Sequence, residues 1–169
     1  LRNVIPEAMA EDPPPLTHLD ATGQAHMVDV SAKKPSHRRA VARATVRLGA
    51  AFDAWRAGTL AKGDAAAVVR IAGIQAAKRT AELIPLAHPI PITRVTVELT
   101  SRPDARAVDI RAAAETVAVT GVEMEAMTAA SVAGLTLYAM VKSVARDARI
   151  DGVELVEKSG GRSGPWRRD

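Results

Sequence analysis

The stretch "ITRVTVELT" (Ile92–Thr100) is followed by "SRPDA" and then by "AVDIRAAAETVAV" (Ala107–Val119). The first segment alternates branched apolar and polar side chains, the period of a strand with one wet face. The Pro-Asp turn breaks it, and the second segment runs back, so the pair predicts an antiparallel hairpin. What flanks the hairpin then decides the fold.

Downstream, "TGVEMEAMTAASVAGLTLYAMVKSVARD" (Thr120–Asp147) predicts a long helix with an Ala- and Gly-rich face, and "IDGVELVEKSGG" (Ile150–Gly161) a last strand ending in glycines. Upstream, "IPLAHPIP" (Ile84–Pro91) carries three prolines and is an ordered loop. Before it, "KGD" (Lys62–Asp64) opens a helix with Asp64 as N-cap, and Val68, Ile71, Ala72 and Ala76 recur at helical spacing to about Leu83, with Gln75 the exception. "AAFDAWRAG" (Ala50–Gly58) predicts a short helix closed by Gly58, and "VARATVRL" (Val41–Leu48) a strand whose Ala42, Ala44, Val46 and Leu48 share one side. "KKPSHRR" (Lys33–Arg39) reads as a basic loop, and "AHMVDVS" (Ala25–Ser31) as a short strand. The order from Val41 onward is β-α-α-β-β-α-β. This is the split βαβ plan of an α+β ferredoxin-like sandwich, with helices on one face of an antiparallel sheet. Residues 1–15, ending in "DPPP", read as a mobile arm, residues 16–164 as one domain and 165–169 as a tail.

The composition bounds the function. Apolar residues are 47% of the 169, enough for a core, but aromatics are only 2%, so the core is built of small aliphatics and elements must approach closely. Cysteine is absent, which excludes disulfides and thiolate metal sites. No apolar run of membrane-span length is expected, nor a signal peptide at the start, and the expectation is a cytoplasmic protein. The net charge of +4 favours an anionic partner. One Tyr and one Phe leave little for base stacking, so a small anion is preferred to nucleic acid.

Three groups of residues can carry chemistry. His88 is held between Pro85 and Pro89, where an imidazole can bond a ligand or move a proton, or merely satisfy loop carbonyls. Glu123 and Glu125 stand at a helix N-terminus, able to take adjacent donors of a guanine-like edge or simply to complement the helix dipole. Lys33, Lys62, Lys78, Lys142 and Lys158, with Arg38 and Arg79, sit near element ends, and "KSGGRSG" (Lys158–Gly164) offers bare backbone N–H groups to phosphate oxygens. Singly, each lysine is as well explained by solvation. The four histidines are too scattered for a metal.

"LTHLDATGQAHMVDVSAK", "RIAGIQAAKRT", "LIPLAHP", "TGVEMEAMTAASVAGLTLY" and "EKSGGRSG" together resemble the cyclic pyranopterin monophosphate synthases of molybdenum cofactor biosynthesis, from about Leu16 to Gly164. The resemblance implies a ferredoxin-like lyase that converts a cyclised dihydro-GTP into cyclic pyranopterin monophosphate with release of pyrophosphate. It implies hexamers built as trimers of dimers, with sites at a dimer interface. No cofactor is implied, magnesium with the triphosphate being left open, and neither a nucleic acid nor a membrane partner. The substrate-pocket positions fall on Leu86, Ala87 and His88, and on Met124 and Glu125 with Glu123 beside them. The phosphate-contacting and catalytic cations fall on Lys33, Arg38, Lys62, Lys78, Lys142 and Lys158, and His26 matches a position near the site. Three departures stand out: Ala87 where the family has cysteine, Ala118 and Val119 where it has Gly-Lys, and Ala139 where it has an aspartate. That aspartate is the family's acid–base residue, one turn before Lys142. The chain therefore resembles a synthase that binds substrate but turns it over poorly. The alternatives are a non-catalytic nucleotide- or RNA-binding module and an inactive subunit of an active paralogue.

Overall fold

A computed structural model describes residues 22–169; the expected arm at residues 1–15 lies outside them. β1 (Ser36–Arg47) leads through a 3-10 turn into α1 (Phe52–Ala57), then α2 (Ala65–Lys78) and a one-turn helix α3 (Thr80–Leu83). The hairpin β2 (Ile92–Arg102) and β3 (Ala107–Ala118) follows, then α4 (Glu123–Val141), β4 (Arg149–Ser159) and a two-residue β5 (Trp166–Arg167). The sheet order is β2-β3-β1-β4-β5, antiparallel throughout, with α2 and α4 packed on one face. This is the ferredoxin-like sandwich that the sequence predicts, with β5 as an unanticipated edge piece.

Side-chain period places the core. Ala40, Ala42, Ala44 and Val46 of β1, with Val108, Ile110, Ala112 and Ala114 of β3, turn inward and are fully buried under α4. The opposite face is laced by ion pairs: Arg43 Nε lies 2.5 Å from Glu154, Arg39 pairs with Glu157 and Glu115, and Arg47 pairs with Asp151. Asp151, Glu154 and Glu157 are three residues apart, a spacing that should alternate faces in a regular strand. Two bulges correct the phase. Opposite β1, Val41 pairs with Glu157 and Ala42 with Leu155, skipping Val156; Ala44 pairs with Val153 and Thr45 with Asp151, skipping Gly152. Gly152 adopts φ 59°, which a bulge of this kind asks of a glycine. All three acids thus meet the β1 arginines while Leu155 and Val153 face the core.

Four expectations are corrected. Of Ala25–Ser31 only Ala25 makes a strand-type bridge, because the segment runs beside loops and has no long partner strand. β1 begins at Ser36, so His37, Arg38 and Arg39 belong to the sheet; Pro35, which cannot donate to a ladder, marks the end of the loop. α2 buries Ala65, Val69, Gly73, Ala76 and Ala77, whereas Val68 and Ile71 are exposed. The reason is distance: a Cβ on Gly73 would lie 3.2 Å from the Ala129 carbonyl and 3.3 Å from the Ala133 methyl, so only the small-residue face can seat against α4. Finally, α4 is long and apolar enough to cross a membrane, the one such helix among the described residues. Its apolarity serves burial instead, since it is the central helix, packed on the sheet and against α2.

Local signals set the ends. Asp64 caps α2, its carboxylate accepting from the Ala67 N–H at 2.9 Å. Gly58 closes α1 with φ 67°. The antiparallel pairing of α2 with α4 brings the end of α2 and the proline loop to the start of α4. It also brings the start of α2 to the end of α4, where Lys62 Nζ donates to the Ala139 carbonyl at 2.5 Å.

Candidate functional site

Where α4 starts, three segments meet. The proline loop supplies Leu86, Ala87 and His88; the helix supplies Glu123, Met124 and Glu125; the stretch before β1 supplies Val28, Asp29 and Lys33. Together with Arg162 of the glycine loop they enclose a cleft of about 510 Å³. A second hollow of about 640 Å³ adjoins it, walled by Lys33, Lys34, Arg38, Gly121, Arg162 and Ser163. Lys33, Glu123 and Arg162 belong to both, so the two form one cleft whose outer half is cationic.

His88 Nε2 lies 2.9 Å from the Val28 carbonyl. A carbonyl only accepts, so Nε2 carries the proton, and in the neutral ring Nδ1 is the acceptor. The prolines hold the loop and this bond holds the imidazole. Glu125, only 4% exposed, stands behind His88 and also lines a rear cavity of about 180 Å³ with Lys78 and Glu82. Burial pushes the Glu125 carboxyl up to about 7; a hydrogen bond that the carboxylate accepts from its own backbone N–H opposes the rise, and the neighbouring Glu123 carboxylate adds to it. A buried acid of this kind can donate or accept a proton near neutral pH, or bond a ligand in either state.

The cations divide. Lys33 lines the cleft and Lys78 the rear cavity. Lys158 Nζ donates to Ser163 Oγ on the glycine loop, so it steadies that loop. Arg38 donates from Nε to the Ala118 carbonyl at 2.9 Å and from Nη2 to the Val119 carbonyl at 3.1 Å. His26 is exposed, two residues before Val28, and lines neither hollow.

Lys62, Ala139 and Lys142 lie elsewhere. Ala139 follows Met124 by fifteen residues of α4, about 22 Å at 1.5 Å per residue. Lys142 is the C-cap of that helix, its backbone N–H bonded to the Tyr138 carbonyl. Within one chain, the expected site residues thus form two groups at opposite ends of one helix. Sequence reasoning missed Val28 and Asp29 as cleft residues; Arg162 belongs to the Lys158–Gly164 stretch expected to bed phosphates, though it was not singled out there.

Fold and cleft define a class: a ferredoxin-like enzyme domain whose cleft opens at the start of its central helix, among cations. Comparison narrows this. The chain belongs to the MoaC family, whose model matches residues 27–161. It is similar to proteins named cyclic pyranopterin monophosphate synthase. The one from Thermomicrobium roseum is 56% identical over 155 residues, covering 91% of this chain and 93% of the relative. That from a Nostoc species is 53% identical over 152 residues, covering 89% and 90%. That from Corynebacterium efficiens is 51% identical over 152 residues, covering 89% and 97%.

Proposed function

We propose that this chain binds cyclised dihydro-GTP (3',8-cyclo-7,8-dihydro-GTP), and that it belongs by descent to the phosphorus–oxygen lyases that convert it to cyclic pyranopterin monophosphate and pyrophosphate in molybdenum cofactor biosynthesis. The observation that carries the reading is the cleft itself. An imidazole and two carboxylates sit at its inner end, suited to a purine-derived edge, and Lys33 and Arg162 at its outer end, suited to phosphates. The relatives' shared name, which gives cyclic pyranopterin monophosphate as their product, supports the same reading.

Turnover is slow in this reading because position 139 is alanine. A carboxylate there would share a helix face with Lys142, one turn on, hold its ammonium and relay a proton. Alanine does neither, and loss of a general acid–base group costs about 10²–10⁴-fold in rate. Alanine is also a strong helix former, so α4 is unharmed.

A second copy of the chain completes the site. The separation of Lys62, Ala139 and Lys142 from the His88 cleft along α4 supports this, as does the exposure of Val68, Ile71 and Leu135 on the helices. We read the assembly as a hexamer, a trimer of dimers, acting in the cytoplasm without a resident cofactor.

The test is Ala139→Asp, assayed for pyranopterin formation from the cyclised dihydro-GTP. A rise of about 10²-fold or more is expected. An inert variant that still binds substrate overturns the account of position 139. Isothermal titration with GTP, cyclised dihydro-GTP and single-stranded RNA tests the substrate class: tight RNA binding without response to the purine triphosphates overturns it.

A further inference from the structure

We infer that Arg38 is a positioning residue, a wedge that sets the start of α4 against the glycine loop, and that its guanidinium does not serve the ligand chiefly as a charge. The sequence resemblance makes it a phosphate contact. The geometry assigns its fork differently. Nε and Nη2 donate to two successive carbonyls, Ala118 and Val119, where β3 ends. Those carbonyls sit just before the turn Thr120–Val122, which sets where α4 begins and so where Glu123 and Glu125 stand.

The third nitrogen presses on the glycine loop. A Cβ on Gly161 would fall 2.1 Å from Arg38 Nη1, and Gly161 has φ +75°. Next to it, a Cβ on Gly160 would fall 2.1 Å from the His37 carbonyl, with φ +87°. Gly160 is therefore required by the backbone of the β1 start as well as by turn geometry, whereas at Gly161 the positive φ asks for glycine and an added methyl would displace the tip of the Arg38 side chain. One planar group lies between the end of β3 and the loop bearing Arg162 and Ser163, and both segments line the outer cleft.

Lysine keeps the charge but has no fork. It cannot span two adjacent carbonyls in a plane while packing flat against a glycine. This separates a wedge from a charge. Gly161→Ala attacks the same contact from the other side and leaves every cation in place.

The ligand half of the inference rests on the proposed function; the ligand-free half does not. Three proteins, Arg38→Lys, Arg38→Gln and Gly161→Ala, are compared with the parent in two measurements. The first is amide hydrogen exchange without ligand at residues 119–123 and 160–163. Faster exchange is expected in all three, with the remaining sheet as protected as in the parent. Parent-like exchange at those amides in Arg38→Lys overturns the wedge. The second is GTP binding by titration calorimetry. Arg38→Lys is expected to weaken it as much as Arg38→Gln does, about tenfold, because both lose the fork that aligns the start of α4 with the glycine loop. Millimolar guanidinium restores binding to Arg38→Gln, and methylammonium does not. Parent-like affinity in Arg38→Lys overturns the inference and returns the residue to a charge role. If the parent binds neither GTP nor the cyclised dihydro-GTP, the proposed function fails, and the exchange data still decide the wedge.

Discussion

Glu125 ties the site to the energetics of the fold at the scale of a residue. Its folded pKa is about 7, above the ordinary 4.5, so between these values the folded chain binds more protons than the unfolded one. The stabilising contribution of its neutral form is complete below about pH 4.5 and is lost as pH rises to 7; at pH 8 a buried charge costs about 3 kcal/mol. Glu125→Gln is therefore expected to leave stability at pH 4.5 little changed and to raise it at pH 8. Urea unfolding at the two pH values measures this, and an equal change at both excludes Glu125 as the titrating group. The residue was legible as a site candidate from its place at a helix start. Its burial was not, because nothing in "GVEMEA" says which of two acids two residues apart turns inward.

Among the elements, α2 and α4 decide the packing. Gly73 is the point of closest approach, where an added Cβ would also lie 3.0 Å from Val97 Cγ2. Gly73→Val is expected to destabilise the chain by about 1–3 kcal/mol through overpacking, read as a fall in the urea midpoint with unchanged slope. The strands and the two long helices were legible because their periods of two and 3.6 are clean. The face of α2 was misread because apolarity was taken as the mark of burial. In a core with almost no aromatics the mark is smallness, and Val68 and Ile71 are too large for the seam. The "AHMVDVS" segment carries a strand's composition, but a strand forms only where a partner ladder is offered, and sequence does not display the partner.

In the whole molecule, the two ends of α4 impose a test that no single-chain variant provides. His88→Ala removes the cleft imidazole and Lys142→Ala the far cation, so each protein alone should bind the cyclised dihydro-GTP weakly. If sites are shared between copies, subunit exchange between the two variants rebuilds intact sites: about a quarter of all sites for random pairs. Calorimetric stoichiometry after mixing measures the fraction, and no recovery places the complete site within one chain. The sequence carried half of this division: one predicted helix spans Met124 and Lys142, but which cations gather at which of its ends depends on how α2 and the glycine loop pack against it. The bulges of β4 have a consequence of another kind. A strand read from its acids at every third residue is a strand whose inside and outside are kept by two extra residues, Val156 and Gly152. Removing either one would not shorten the strand so much as turn the segment beyond it over, sending carboxylates into the aliphatic core and leucine to the arginines. β4 should therefore accept many exchanges of side chain and almost no change of length, so its residue count is itself under constraint, independently of what any one residue does.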